Sequence, residues 1–114
     1  MMKIYFNNKK IDISVEKLGF FGRISGLMFR SKETKNLLFD FEKDVSYKFH
    51  SMFCFFPFLI LWLDKKNKVI DFKLVKPFIL QIPSPKSFVK VVEIPFNNDN
   101  IEILQFFVGK ERFK

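Results

Sequence analysis

Residues 58–75 read FLILWLDKKNKVIDFKLV and carry the clearest structural signal in the chain. The first six of them are all apolar, which is typical of a short strand that is covered on both faces. The last seven alternate instead, so that Ile70, Phe72 and Leu74 are predicted to point inward. The polar residues 64–68 between the two runs predict a hairpin loop. The stretch therefore predicts two adjacent antiparallel strands joined by a short loop.

Shorter patterns predict further strands on both sides of this hairpin. Residues 3–6 and 11–15 alternate around an Asn-rich turn and predict an N-terminal hairpin. A helical spacing of apolar residues over 18–28 predicts one short helix, although three glycines weaken it. The other predicted strands are 37–42, 47–56, 88–94 and 101–108, with an irregular Pro-rich connection at 80–87.

Length and composition limit the fold to one domain, residues 1–114. Apolar residues make up 48% and charged residues 28%, which excludes disorder as the main state. We predict a compact, mainly β domain of the α+β class. Its seven to eight short strands form a barrel-like or sandwich-like sheet, with one short helix. The predicted core contains Phe39, Phe41, Leu61, Leu63, Ile70 and Phe72.

The basic composition does not identify a nucleic-acid site, since the net charge of +8 comes from lysines spread along the chain among acidic residues. The longest apolar run, residues 52–63, is interrupted by Pro57 and is shorter than the roughly 20 residues that a membrane helix needs. The N-terminal residues show no signal-peptide pattern. The single cysteine, Cys54, forbids an internal disulfide and fits a reducing compartment. We therefore expect a cytoplasmic protein without a membrane span.

Few residues fit catalytic or metal chemistry. His50 and Cys54 are four residues apart, which on the predicted strand separates them by ~13 Å, too far for a thiolate–imidazole pair. Asn97–Asn100 with Glu102 is similar to a calcium loop but lacks its glycine and spaced carboxylates, so a solvated turn is expected. No metal and no cofactor are expected.

Two of the three arginines, Arg23 and Arg30, lie in one motif, although the chain otherwise uses lysine. A guanidinium group offers a planar fork of donors that lysine cannot reproduce. We expect a structural pair with Asp40, Asp64 or Glu93, while binding of an anion or another ligand stays open.

Residues 23–41, RISGLMFRSKETKNLLFDF, resemble the signature of the family called domain of unknown function 192. The resemblance continues through His50, Phe56-Pro57 and Leu63-Asp64, in a spacing similar to the archaeal branch, and through Val91-Val92-Glu93. It implies a compact, mainly β domain with a small helix near Arg23. Leu59 stands where the family has Asp, and we expect it to be buried. The family's late Ala-Gly and Gly-Asp elements are missing.

That family has no established activity, so three functional hypotheses remain. The leading one is a non-enzymatic module that binds a small ligand or a protein partner. The first alternative is a small enzyme whose pocket gathers Arg30, His50, Asp64 and Glu93, and the second is a basic RNA-binding barrel. Together with Arg23, those four residues are the candidate ligand-binding residues, and none is assigned a catalytic role.

Overall fold

The computed structural model describes residues 1–19, 26–46 and 48–109, which form seven β-strands and one α-helix. The strands are β1 (Met2–Phe6), β2 (Lys9–Ile13), β3 (Glu16–Lys17), β4 (Leu37–Val45), β5 (Phe58–Leu63), β6 (Val69–Val75) and β7 (Phe88–Pro95). A 3-10 turn, Asn98–Asn100, leads into helix α1 (Ile101–Val108).

Five of the strands form one sheet in the order β3-β4-β7-β5-β6, and β1 pairs with β2 in a separate hairpin. Only β3 and β4 run parallel within the larger sheet. Both predicted hairpins, β1–β2 and β5–β6, are confirmed. At the β1–β2 turn Asn7 and Asn8 have φ values of 50° and 64°, as a tight two-residue hairpin turn requires. The described residues thus form a mainly β domain with two sheets rather than a closed barrel.

The larger sheet is covered on both faces, which explains the uninterrupted apolar sequence of β5. Every residue of β5 is buried. One apolar cluster contains Phe58, Ile60 and Trp62 and includes the loops beyond β4 and β6. The second contains the alternate β5 residues, together with the β1–β2 hairpin and α1. Leu59 belongs to the second cluster and is 0% exposed, which confirms that it is buried.

The predicted core is largely confirmed. Phe39, Leu61 and Leu63 are buried, while Phe41 and Phe72 are partly buried and pack against the two clusters. The prediction for Ile70 is wrong, because its side chain is 46% exposed. Trp62 pairs with Asp71 but Leu63 pairs with Val69, so Ile70 is the extra residue of a β-bulge. A bulge changes the alternation that the sequence pattern assumes.

The predicted strand at residues 101–108 is wrong, because this segment is α1. Leu104 and Phe107 are its buried residues, and Ile103 and Val108 pack beside them. This spacing of three and four residues places one apolar face of a helix against the sheet. No helix in the described part of the chain is long and apolar enough to cross a membrane.

The predicted strand at 47–56 is also wrong for the residues that the structure describes. Residues 48–57 form a loop whose pairing is limited to one bridge, from Phe49 to Ile82. The predicted helix over 18–28 falls mainly on residues 20–25, which lie outside the described residues. Of its remainder, Leu18 and Gly19 are not helical and residues 26–29 form turns.

Candidate functional site

Ser51 joins the two long loops that cover one face of the larger sheet. Its side chain is 1% exposed. Its backbone N–H donates to Ile79 O at 2.8 Å, and its carbonyl accepts from Phe78 N–H at 2.8 Å. Its hydroxyl donates to Lys76 O and accepts from Ile79 N–H, both at 2.7 Å. These four hydrogen bonds fix the turn at residues 76–79 against the loop at 48–57.

Three phenylalanines in these loops and the neighbouring 26–30 turn adopt the left-handed backbone conformation. Phe29, Phe53 and Phe78 have φ values of 60°, 59° and 59°. Arg30 N–H donates to Leu27 O and Cys54 N–H donates to Ser51 O, both at 3.1 Å, so Phe29 and Phe53 occupy the third position of β-turns. Glycine or asparagine normally fills such a position. A bulky residue there costs on the order of 1–3 kcal/mol.

The side chains of these three residues and of Phe55 form a contiguous exposed group, which we call the aromatic surface: Phe29, Phe53, Phe55 and Phe78. Phe29 stacks on Phe53 with ring centroids 5.1 Å apart, and Phe78 lies edge-on to Phe53 at 6.0 Å and to Phe55 at 5.2 Å. Phe29 is 70% and Phe55 64% exposed. Leu80, two residues after Phe78, is 79% exposed. Single exposed apolar residues are ordinary, but a contiguous group of them marks an interaction site.

The two loops that carry Phe53, Phe55 and Phe78 are rich in lysine. Residues 48–57 and 76–87 contain Lys48, Lys76 and Lys86 but neither Asp nor Glu. Acidic residues of other elements lie at their margins, since Arg30 is 3.6 Å from Glu16 and Ser87 Oγ donates to Asp44 Oδ1 at 3.3 Å. The two loops themselves therefore carry a net positive charge.

Glu93 lies beneath the same loops. It is on β7, where it pairs with Leu37 of β4 and Ile60 of β5, and it is 3% exposed. Its Oε1 atom has no hydrogen-bond partner among the described residues. Burial raises the pKa of Glu93 to about 8, because the apolar surroundings disfavour the charged carboxylate.

Gly26 and Cys54 connect Glu93 to the loops above it. Gly26 has a φ of 51°, which favours glycine. A Cβ atom at this position would lie 3.3 Å from Glu93 Oε1 and 3.3 Å from Phe39 Cζ. Burial raises the pKa of the Cys54 thiol, and the negative charge of Glu93 adds to that effect. The Cys54 thiol donates to Phe56 O at 3.2 Å. Gly26 and Cys54 therefore bring the 26–30 turn and the 48–57 loop directly over the carboxyl.

Arg30 is held within the 26–36 segment. Its Nε donates to Gly26 O at 3.0 Å and its Nη1 to Thr34 Oγ1 at 3.2 Å, while Nη1 lies 3.6 Å from Glu16 Oε1. Its side chain is 32% exposed. The expectation of a carboxylate beside Arg30 is confirmed, but the acid is Glu16 rather than one of the three named from the sequence.

The other predicted site residues have separate partners. The exposed His50 uses Nδ1 to accept Met52 N–H at 3.1 Å, so it makes no pair with Cys54. Asp64 Oδ1 accepts the N–H groups of Lys66 and Lys68 and closes the β5–β6 loop. Arg23 lies outside the described residues. The structure thus places Arg30 and His50 in the loops that cover this face of the sheet, Glu93 on β7 beneath them, and Asp64 in the β5–β6 turn.

No pattern in the sequence predicts the aromatic surface. Phe53 and Phe55 fall inside the segment 47–56, which is predicted as a strand. Turn prediction relies on Gly, Asn and Pro, and only Pro77, directly before Phe78, supplies such a signal. The fourth ring, Phe29, is exposed because residues 27–30, at the end of the GLMFR motif, form a turn.

The sequence pattern of the family domain of unknown function 192, described as "Uncharacterized ACR", matches residues 4–109. The chain belongs to this family. The resemblance seen in the arginine motif is therefore confirmed across nearly the whole length. No curated protein matches the chain.

Two solved structures share the fold. A protein of unknown function from Novosphingobium aromaticivorans DSM 12444 has a TM-score of 0.71 and 15% identity, over 89% of this chain and 75% of that one. A putative transcription regulator from Sinorhizobium meliloti 1021 has a TM-score of 0.72 and 19% identity, over 89% of this chain and 81% of that one. At such identities the likeness concerns the fold alone.

Proposed function

We propose that this domain is a non-enzymatic protein-binding module and that its partner docks on the aromatic surface. The observation that carries the proposal is the exposure of four contiguous rings, three of them on left-handed backbone. Both features lower the stability of the free protein. A partner that covers the rings offsets this cost by removing their apolar area from water, at roughly 25 cal/mol per Å².

The partner's chemistry follows from the rings and from the charge of their loops. Phe29, Phe53 and Phe78 already pack against one another, and exposed aliphatic residues follow Phe78 in the chain, which favours apolar side chains as ligands. The net positive charge of the 48–57 and 76–87 loops favours a segment whose apolar residues are flanked by carboxylates. A second copy of this chain fits less well, because its loops carry the same positive charge.

The alternatives have less support. An enzyme pocket that gathers Arg30, His50, Asp64 and Glu93 is disfavoured by the separate hydrogen-bond partners of the first three. RNA binding gains support from exposed rings near lysines, yet base stacking requires open ring faces, and several of these faces are already in contact with other rings.

Two further expectations accompany the proposal. The buried, unpaired Cys54 supports a cytoplasmic location, where thiols stay reduced. The spacing of His50, Phe56-Pro57 and Leu63-Asp64 supports an archaeal-type branch of the family.

A pair of matched peptides tests the proposal. One carries alternating Leu, Phe and Glu, and the other has the same apolar residues with Lys in place of Glu. Fluorescence anisotropy should show saturable binding of the acidic peptide and at least about tenfold weaker binding of the basic one. The double variant Phe29→Ser with Phe55→Ser should weaken binding of the acidic peptide by a similar factor.

Ile70→Ser is the matched control, because Ile70 is also exposed but lies on β6, outside the aromatic surface. It should bind the acidic peptide as the wild type does. Equal affinity for both peptides, or an equal loss in the control variant, would contradict the proposal. Tight binding of single-stranded poly(U) with a steep salt dependence, lost in the double Phe variant, would favour the RNA alternative.

A further inference from the structure

A second feature, separate from the aromatic surface, is the free edge of the larger sheet at β6. In the strand order β3-β4-β7-β5-β6, the last strand pairs with β5 on one side only. The β1–β2 hairpin meets its other side at the beginning of the strand, through the bridge from Tyr5 to Lys68 and the hydrogen bond from Tyr5 N–H to Asn67 O. Along residues 70–75, no strand of the described part of the chain pairs with this edge. Such an edge is a template for pairing with another chain.

Hydrogen bonds on the far side of β5 show which of its residues bond to β6. Pro57 lies directly before β5 and Phe96 directly after β7, and Phe96 N–H donates to Pro57 O at 3.2 Å. Hydrogen-bonded pairs alternate with non-bonded pairs along antiparallel strands, so Leu59 and Leu61 also bond to β7. The alternate residues of β5 therefore bond to β6.

The outward-facing backbone groups of β6 follow from this alternation. Asp71 and Lys73 lie opposite those alternate residues of β5 and bond to them. Phe72 and Leu74 therefore direct their N–H and C=O groups toward the free edge. Asp71 Oδ1 accepts the Phe72 N–H at 2.8 Å, which gives this outward donor a partner within its own strand. The edge thus offers the backbone groups of two residues to a further strand.

The sequence of β6, VIDFKLV, is complementary to itself. When two copies of the strand pair antiparallel about Phe72, Asp71 of each copy lies opposite Lys73 of the other, and the aliphatic residues on either side also face each other. The Asp71–Lys73 pairs are non-hydrogen-bonded pairs, in which cross-strand side chains lie closest. Both side chains are exposed, and neither has an ion-pair partner among the described residues. The charges of the edge therefore match those of a second copy.

The apolar side chains of the edge also suit this pairing. Phe72 lies edge-on to Phe6 and to Phe107, with ring centroids 5.7 Å and 5.1 Å apart. Phe72 and Leu74 nevertheless remain partly exposed, and Ile70 is 46% exposed. A second copy of the strand removes part of this apolar area from water.

We propose that β6 pairs antiparallel with β6 of a second copy of this chain, about a two-fold axis at Phe72, so that the two larger sheets join into one. The contact is the same on both copies, as two-fold symmetry requires. The bulge at Ile70 lies at one end and leaves Asp71–Val75 in regular register. The short paired segment and the net charge of +8 make the association weak, so the dimer forms at high protein concentration. The edge lies outside the aromatic surface, so the dimer does not depend on a partner docking there.

Sedimentation velocity of the full chain, at protein concentrations from about 5 to about 500 µM, tests the proposal. The wild type should shift from monomer to dimer within this range. Asp71→Lys and Lys73→Asp should each weaken dimerisation at least about tenfold, because either change places like charges opposite each other twice. An equimolar mixture of the two variants should dimerise about as well as the wild type, because the lysine pair of one copy then faces the aspartate pair of the other.

Lys43→Asp is the matched control, because it makes the same charge change at an exposed residue of β4, away from the free edge. It should dimerise as the wild type does, and thermal melts show that each variant is folded. A wild type that stays monomeric up to about 500 µM would overturn the proposal and leave the edge to a strand from a different protein. An equal loss in Lys43→Asp would also overturn it, as would a mixture that associates no better than either variant alone.

Discussion

Replacing Glu93 by Gln isolates the buried carboxyl and makes its energetic effect measurable. Burial raises the pKa of Glu93 to about 8, from an ordinary value of 4.5. Between these two pH values the folded protein carries a proton on Glu93 that the unfolded chain does not. Stability must therefore fall as the pH rises through this window, by roughly 1.4 kcal/mol per pH unit.

The total change in the free energy of unfolding follows from the difference between the folded and unfolded pKa values of Glu93. A pKa difference of about 3.5 units corresponds to on the order of 5 kcal/mol between pH 4 and pH 9. Typical domains have a free energy of unfolding of roughly 5–15 kcal/mol, so this contribution is large. The Glu93→Gln variant has no ionisable group at this position, so its free energy of unfolding lacks this pH-dependent contribution. Relative to the variant, the wild type should lose about 3 kcal/mol by pH 7 and the full amount above pH 8.

Urea unfolding of both proteins at pH steps from 4 to 9 provides the measurement. Any fixed cost of the Gln amide shifts one curve by a constant amount and leaves the pH dependence of the difference unchanged. Parallel curves would refute the reasoning, because they would show that Glu93 has an ordinary pKa in the folded state. The buried carboxyl would then need a compensating partner.

Three further substitutions test the core and the loops. Leu59→Asp should lower the free energy of unfolding by about 3–5 kcal/mol, and more at pH 8 than at pH 4, because a fully buried site must accept a carboxylate; a wild-type melt across this range would contradict it. Ser51→Ala should cost about 2–4 kcal/mol in chemical denaturation, since Lys76 O and Ile79 N–H lose their partner; a loss below 0.5 kcal/mol would mean that the hydroxyl does not fix the loops. Phe78→Gly should leave thermal stability unchanged or raise it by about 1 kcal/mol, because glycine adopts a φ of 59° without strain, while the variant weakens acidic-peptide binding. A loss of thermal stability would contradict the account of strain at Phe78.

The sequence predicts the sheet best where the hydrophobic pattern alone determines the strands, at β5 and β6. The apolar run at 58–63 and the alternation around it define β5 and β6, because a strand covered on both faces needs apolar residues at every position. Ile70 shows the limit, since nothing in the alternation reveals the bulge that turns it outward. The sequence of α1 also predicts a strand, because a short apolar segment can satisfy both periods. The burial of Leu104 and Phe107, which distinguishes the helix, depends on packing against the sheet.

The candidate site was less predictable, because its features arise from tertiary contacts. Glu93 could be named from the family motif, but its burial depends on neighbouring strands and on the absence of a side chain at Gly26. The aromatic surface depends on Ser51, whose sequence neighbours give no indication that it joins two distant loops. Phenylalanines in the left-handed backbone conformation contradict the residue preferences on which turn prediction rests.

The central claim is that the aromatic surface is where a partner docks, and amide chemical-shift mapping by NMR tests it most directly. The acidic apolar peptide should be titrated into the isotope-labelled full chain. The account predicts that the largest shifts fall on Phe29, residues 51–55 and residues 78–80, with little change in the β1–β2 hairpin or α1. Shifts centred on the hairpin and α1, or saturable binding that leaves the three loops unchanged, would contradict it.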